Sequence, residues 1–386
     1  LSSAKTVAAV LSMAQGDERI VMPSGAWDAE PRLLNTPGGV VDLRSGRLLD
    51  RNDEHYFTQL AAATPDSRMP APTWERFLRE VFIDDLEMVE FVQRMVGYCL
   101  TGLTVEQKLF FCHGSGANGK STLIDLLLWL MGTYAVKMPA LALMQTKVER
   151  HPTELAQLRG RRLAVSSELE EGQFWAESRI KELTGDETMT ARFMRQDFFE
   201  FRMSQKHLIA GNHKPRLRGG DAAIARRFVL VPFNAKFEGT SRDPKMLEKL
   251  RAEAPGVMAW AVLGAVKWHE SGLLIPSRVS EASAAYMADF DDLRVWLGEC
   301  CELRARDPSL SDSASELYAS FRAWKADRGE HAPSQMVWGE RLSTVDGVRR
   351  YMSAGKVRYQ GIRLLLDARE RLIRNDARAS RGGPAT

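Results

Sequence analysis

The stretch HGSGANGKST, His113 to Thr122, restricts what this chain can fold into more than any other part of its 386 residues. Its spacing is G-x-x-x-x-G-K-S, from Gly114 to Ser121. Glycines let a chain turn with its N–H groups aimed inward, where a side chain would block an anion. A helix that starts near Gly119 adds the positive end of its dipole. Lys120 is then placed to reach the outer phosphates of a nucleotide, and Ser121 to ligate Mg²⁺. The flanks agree with this. Leu109–Cys112 is a short apolar β-type run, and Thr122–Leu130 is apolar at most positions, as in a helix laid on a sheet. The expectation is a triphosphate cradle built from Gly114, Ser115, Gly116, Ala117, Asn118, Gly119, Lys120, Ser121 and Thr122. A glycine-rich surface loop that fits the pattern by chance is the competing reading. The motif does not name the reaction.

Composition removes several classes. Hydrophobic content of 44% and charged content of 27% are ordinary for a globular chain. A net charge of +3 gives no overall argument for nucleic acid. The end from Arg341 to Arg381 carries eleven Lys/Arg against four Asp/Glu, so it suits either a phosphate partner or plain solvation. Cys99, Cys112, Cys300 and Cys301 form no C-x-x-C and no ligand spacing with histidine. That speaks against a zinc site or a disulfide scaffold and for a reducing, cytoplasmic setting. The longest apolar run, Leu123–Met131, is interrupted by Asp125 and is too short to span a bilayer, so no membrane partner is expected. The start at Leu1 rather than Met leads us to expect a piece of something longer.

The first hundred residues read as mostly helical, with a small hairpin at Asp42–Leu48 that turns at Ser45-Gly46. Trp74, Phe77, Leu78, Val81 and Phe82 share a helical face behind Thr73 as N-cap, and a second helix covers Leu86 to Leu100. Apolar β runs at 108–112, 162–167, 206–211 and 228–233 alternate with helical segments, the pattern of an α/β sheet. Helices are expected at Val257–Glu270 and Glu281–Leu303. Two more, Ser315–Arg328 and Ser334–Leu342, precede two short strands around Gly355, the order of a winged helix. On this reading Gln335, Trp338 and Arg341 are exposed on the groove-facing helix, with Arg349, Arg350, Lys356 and Arg358 on the wing. The expected parts are a helical N-terminal domain (1–103), an ATPase domain (104–278), a helical linker with a winged-helix-like domain (279–370) and a basic tail (371–386).

Hydrolysis needs a carboxylate that orients water at the end of a neighbouring strand. Glu168, after Leu163-Ala-Val-Ser-Ser167, is the candidate for water activation and metal binding, with Glu170 and Glu171 as substitutes. Ser167 stands where a second acid often sits, which leaves the metal shell open. Asn212, at the tip of the run Lys206–Asn212, is placed to sense the γ-phosphate. Arg226 and Arg227 are candidate arginine fingers, which would act on a neighbouring subunit's nucleotide; a surface salt bridge is the plain alternative.

Taken together, these segments resemble the superfamily 3 helicases. Gly114–Thr122, Ser167-Glu168, Lys181-Glu-Leu-Thr-Gly-Asp186, Gly211-Asn-His-Lys-Pro215 and Gly220-Asp-Ala-Ala-Ile-Ala-Arg-Arg-Phe228 with Val231-Pro-Phe233 occur in that family's order. The likeness is to the phage and plasmid primase-helicase proteins, related to the poxvirus primase-helicase, over roughly residues 30 to 370. The resemblance implies an α/β, AAA+-like P-loop ATPase core, Mg²⁺ and ATP as cofactors, and a hexameric homo-oligomer. It also implies 3′→5′ unwinding of DNA and service to a phage or mobile element in a bacterial cytoplasm. It places a hairpin in the central channel, here Thr188–Ala191 and Phe198–Arg202 with Arg192-Phe-Met-Arg-Gln-Asp197 as its tip. Arg192 and Arg195 would grip phosphates and Phe193 would stack on a base or sugar. Lys181 and Lys214 follow the pattern as further DNA contacts. Such proteins commonly carry an upstream primase-polymerase domain. Asp289-Phe-Asp291 has the spacing of a primase carboxylate pair but lies in a helical stretch without a matching histidine motif, so priming is not expected of this piece.

Two other classes share parts of this pattern. A remodelling or loader ATPase with a protein client would keep Lys120, Glu168 and the finger. An origin-binding protein with a relic loop would keep only the DNA contacts. A GTPase is disfavoured, since no Asn-Lys-x-Asp block appears.

Overall fold

The computed structural model describes residues 3–52, 55–146, 153–167, 171–217, 222–239, 242–289, 291–329 and 331–370. Glu168, Glu170, Phe290 and the basic tail from 371 onward lie outside the described residues. By internal contacts the chain forms two compact units, residues 1–284 and 285–386.

The first unit begins with α1 (Ala4–Ala14), which buries none of its residues. A small antiparallel sheet follows, made of β1 (Leu33–Thr36), β2 (Gly39–Asp42) and β3 (Leu48–Leu49). The expected turn is present. The Asp42 carboxylate accepts from the Arg44 N–H and the Ser45 hydroxyl, at 2.9 and 2.7 Å, and Gly46 takes φ +73°. Next come α2 (Pro72–Val81) and α3 (Leu86–Leu100). Helix α2 starts at Pro72 and has no side-chain cap of its own, so Thr73 is not its N-cap. Instead Glu253 reaches across to accept the Thr73 and Trp74 N–H groups at 3.0 and 2.9 Å. A carboxylate at a helix N-terminus satisfies orphan donors and faces the positive dipole end.

The central layer then forms from β4 (Leu109–His113), α4 (Lys120–Leu130), β5 (Ala135–Lys137), α5 (Thr153–Ala156), β6 (Leu163–Ser166) and α6 (Glu177–Gly185). It continues with the hairpin β7 (Thr188–Ala191) and β8 (Phe199–Arg202), then β9 (Lys206–Gly211), α7 (Ala222–Ala225) and β10 (Phe228–Pro232). The sheet runs β10-β4-β9-β6-β5, with every neighbouring pair parallel. Its inner strands are buried on both faces, which is why they read as unbroken apolar runs. Strand β5 was not expected: three residues are too few for a periodic signal.

Helices α8 (Met246–Ala252) and α9 (Ala254–Ser271) follow, and α10 (Ser277–Ala288) leads toward the second unit. Helices α3 and α9 touch backbone to backbone. A Cβ on Gly97 would lie 2.0 Å from the Ala265 nitrogen, and one on Gly264 would lie 2.0 Å from the Gln93 carbonyl. Two buried cations close the far end of α3. Arg162 donates to the Leu100 and Leu33 carbonyls, each at 2.7 Å. Lys206 donates to the Thr101 and Ser204 carbonyls. Both cations precede or open a sheet strand, so they tie the helical N-terminal region to the sheet within one core.

In the second unit the single helix expected over Glu281–Leu303 is broken. Asp291 accepts from the Arg294 N–H and starts α11 (Asp292–Cys300), and the chain then turns extended as β11 (Cys301–Leu303). Strand β12 (Ser311–Ser313), α12 (Ala314–Asp327), α13 (Gln335–Ser343), β13 (Arg349–Ser353), β14 (Lys356–Gln360) and β15 (Ile362–Leu364) complete it. The sheet order is β11-β15-β12-β14-β13. Ser313 and Glu316 make a reciprocal capping box at the start of α12. Trp338, expected on an exposed face, is 1% exposed and packs among Trp296, Tyr318, Phe321 and Tyr359. Arg341 is half-buried and pairs with Asp291 and Asp292 at 3.1 and 2.9 Å. That face of α13 is therefore interior, and of the three residues only Gln335 is exposed.

Candidate phosphate-binding site

The site lies at the C-terminal end of β4, between its neighbours β10 and β9, where open parallel sheets leave a crevice. Gly116 and Gly119 take φ +98° and +84°, a region that favours glycine. Gly119 is also crowded: a Cβ there would sit 2.5 Å from the Val81 Cγ2. Gly114 has no room because a Cβ would meet the Phe233 carbonyl at 2.2 Å. Asn118 is 2% exposed and ties the loop to the end of β10 by donating to the Phe233 carbonyl at 3.1 Å.

Lys120 is 4% exposed. Its ammonium donates to the Gly114 carbonyl at 2.6 Å, the Asn118 Oδ1 at 3.2 Å and the Asn212 Oδ1 at 3.0 Å. All three partners are neutral oxygens, and burial holds the ammonium below the usual lysine range. A buried cation without a counter-charge is costly, and an incoming anion removes that cost. His113, one residue before the loop, is driven down to about 4 by burial and by Lys214 and Lys120 nearby. It stays neutral above that pH and adds no charge to the cleft. Ser121 is exposed at the start of α4 and Thr122 is half-buried. Among the described residues no three His, Cys, Asp or Glu side chains gather as a metal site. In a loop of this spacing the Ser or Thr hydroxyl after the lysine contacts Mg²⁺, with phosphate oxygens and water among the other ligands. The loop, the buried cation and the hydroxyl therefore fit a magnesium triphosphate.

The structure brings Lys120, Asn118, Asn212 and the glycine loop together. It divides the arginine pair. Arg227 is 7% exposed, donating to the Thr184 hydroxyl at 3.0 Å and the Ala223 carbonyl at 2.7 Å. Its guanidinium braces α6 against α7, an interior position for a residue expected to face a neighbouring subunit. Arg226 is exposed. Lys181 is half-buried on α6, and Lys214 is exposed beyond β9. The hairpin pairs Ala191 with Phe199 and Thr188 with Arg202, close to the expected strands. At its tip Phe193 is 40% exposed and stacks on Phe199 at 5.4 Å, while Arg192 lies over the Phe198 ring at 4.7 Å. Arg195 is exposed, with φ +62°. Sequence reasoning gave no role to Phe77, Glu80 or Phe237, which line the same cleft. A helical apolar stripe reads as core whether or not one edge of it borders a ligand.

Residues 1–83 match the family described as "D5 N terminal like", and residues 112–227 match a "Family of unknown function (DUF5906)". "Putative helicase L207/L206" of Acanthamoeba polyphaga mimivirus is 26% identical over 259 residues, covering 62% of this chain and 27% of that protein. "Putative primase C962R" of African swine fever virus is 24% identical over 218 residues, covering 54% of this chain and 23% of that protein. The chain thus spans about a quarter of the length of these relatives. Among solved structures, the apo C-terminal region of NrS-1 (305-718) superposes with a TM-score of 0.52 at 12% identity, over 86% of this chain and 83% of that one. That likeness is one of fold. Among the described residues no helix is long and apolar enough to cross a membrane.

Proposed function

We propose that the chain is a member of the phage and viral primase-helicase family, and on that premise that it is the ATP-driven motor of a replicative DNA helicase. The reading is of an AAA+-like P-loop core of superfamily 3 type in the first unit, working as a hexameric ring with 3′→5′ polarity. The second unit is read as a winged helix whose exposed Arg349, Arg350 and Lys356 form a basic edge toward DNA. The single observation that carries the motor reading is Lys120: a buried ammonium, held by neutral oxygens, at the mouth of a glycine loop.

On this reading the loop N–H groups and the Lys120 ammonium hold the β- and γ-phosphates and spread the charge that develops as the terminal phosphoryl leaves. Asn212, already bonded to Lys120, orients the attacking water at the tip of β9. Glu168 accepts the proton of that water. Ser121 would hold Mg²⁺, which when bound neutralises phosphate charge. Arg226 of an adjacent protomer completes the site in place of Arg227. The tip of the hairpin, Arg192, Phe193 and Arg195, grips the strand in a central channel, with Lys181 and Lys214 as outer contacts.

Strand displacement on 3′- and 5′-tailed duplexes with ATP and Mg²⁺ tests this. Unwinding of the 3′-tailed substrate that vanishes with Lys120→Ala is the expected result. Hydrolysis that DNA neither binds to nor stimulates would turn the reading toward a remodelling ATPase.

A further inference from the structure

The cleft at Lys120 does not end with the phosphate cradle. It encloses about 530 Å³ and continues past Gly116–Thr122 to Phe77, Glu80, Phe237, Asp243 and Met246. A volume of that order suits a whole nucleotide-sized ligand, and a triphosphate occupies only the loop end.

The far end has two walls, and both are fastened to the loop. One wall is α2. The Gly119 Cβ position lies 2.5 Å from the Val81 Cγ2 and 3.4 Å from the Phe77 ring, so the loop rests directly on this helix. The other wall is the segment after β10, where the Phe237 N–H donates to the Ala117 carbonyl at 2.7 Å. Phe237 is half-buried and offers an aromatic surface to the cleft. Two carboxylates line this end. Asp243 is engaged by the Lys249 ammonium at 2.6 Å and the Lys245 N–H at 2.9 Å. Glu80 stands exposed on α2, with Arg76 3.8 Å away in a solvent-exposed pair of little strength. Glu80 therefore has acceptor capacity to spare.

We infer that this end binds the nucleoside, with the base stacked on Phe237 and its exocyclic amine donating to Glu80. The inference rests on the proposed ATP-driven function and adds the residues, Phe237 and Glu80, that distinguish the base. Adenine carries an amine donor at that position of its ring edge. Uracil carries a carbonyl, whose lone pairs face a carboxylate unfavourably. The site therefore ranks adenine nucleotides above uridine nucleotides. It also makes α2, from the helical region before the sheet, a wall of the nucleotide site.

The test measures binding of ATP, UTP and inorganic tripolyphosphate, each with Mg²⁺, to the full chain and to its Phe237→Ala and Glu80→Ala variants. Aromatic stacking on a base contributes about 1–3 kcal/mol, so Phe237→Ala should weaken ATP roughly tenfold or more while leaving tripolyphosphate unchanged. Glu80→Ala alters an exposed position, should not move the melting temperature, and should narrow the preference for ATP over UTP. Variants that bind ATP as the wild type does overturn the proposal. So does a parallel loss of ATP and tripolyphosphate in a Glu80→Ala protein of unchanged melting temperature. Wild-type protein that binds neither ATP nor tripolyphosphate overturns the triphosphate reading itself, a distinguishable result.

Discussion

Lys120 and Asn212 stand 92 positions apart in the chain and meet at 3.0 Å, ammonium to amide oxygen. The contact joins the head of α4 to the tip of β9, so two segments that sequence spacing treats separately act on one atom. Removing the amide should leave the triphosphate bound while the water loses its guide. Asn212→Ala is expected to lower kcat about 10²-fold or more with a small change in KM, by analogy with the loss of one preorganised polar group. Lys120→Ala should abolish both binding and turnover. Steady-state ATPase kinetics beside equilibrium nucleotide binding separates the two. An Asn212→Ala enzyme with unchanged kcat would remove Asn212 from the chemistry.

The contact of Gly97 with Gly264 and Ala265 gives a stability prediction. No side chain fits where the α3 and α9 backbones approach, so Gly97→Ala forces the helices apart. Overpacking of this kind costs about 1–3 kcal/mol and more when the clash is with backbone. Thermal unfolding of the variant should begin several degrees below that of the wild type. An unchanged melting curve would mean that the two helices have slack that their geometry does not show.

The legible part of this molecule was local. The glycine loop and the four longer sheet strands announce themselves within a few residues, by turn chemistry or by an unbroken apolar run, whereas the hairpin at residues 188–202 follows only from the order of segments in the resembling family. What escaped depended on distant partners. Glu253 caps α2 from 180 residues away. Trp338 and Arg341 occupy an interior face only because α11 and α12 supply its other side. Arg226 and Arg227 are identical in type and adjacent in sequence, so only the position of Thr184 decides which one is buried. Strands β11, β12 and β15 are three residues each, too short for alternation to show. The nucleoside end of the cleft went unread because Phe77 serves as core on one side and as wall on the other.

Lys206 gives a pH signature. Burial pushes its ammonium down from 10.5 to about 7, with two backbone carbonyls as its hydrogen-bond acceptors. Between those values the unfolded chain holds a proton that the folded chain has lost. Stability therefore rises with pH across that window, and the full cost of the buried charge is felt below about 7. Denaturant midpoints measured from pH 7 to about 9 should climb for this reason, before the buried Cys99 and Cys112 thiols, which burial pushes up, begin to act the other way. In Lys206→Met the climb flattens, so the variant compares best with the wild type near neutral pH and worst in base. A difference between the two proteins that stays constant with pH would contradict the assignment.

The arginine pair separates stability from assembly. Arg227→Ala removes two hydrogen bonds from a buried position and leaves the Thr184 hydroxyl and the Ala223 carbonyl short of a donor, each worth about 1–3 kcal/mol. Its melting temperature should fall and its activity with it. Arg226→Ala should fold normally and lose roughly 10³-fold or more in ATPase rate if it acts as a finger on a neighbour. Mixing that variant with Lys120→Ala should recover part of the activity, because some interfaces then carry both an intact loop and an intact finger. Mixed oligomers that stay inactive would place Arg226 outside the catalytic interface.

The hairpin between β7 and β8 supplies the sharpest separation of motor from grip. Phe193 leans on Phe199, and Arg159 lies 5.3 Å over the same Phe199 ring, so the base of the tip is braced while its outer edge stays open. That arrangement suits a contact that must bear load without rearranging. Replacing Arg192 and Phe193 with Ala leaves the cradle and Asn212 untouched, so ATP hydrolysis without DNA should stay near the wild-type rate. Strand displacement should fall below detection, and stimulation of hydrolysis by single-stranded DNA should disappear. Because stacking and phosphate contacts are sequence-tolerant, the loss should be equal on pyrimidine-rich and purine-rich tracks, and residual binding should weaken further with added salt. A double variant that unwinds normally would remove this hairpin from the DNA path and leave the exposed basic edge of β13 and β14 as the remaining place to look.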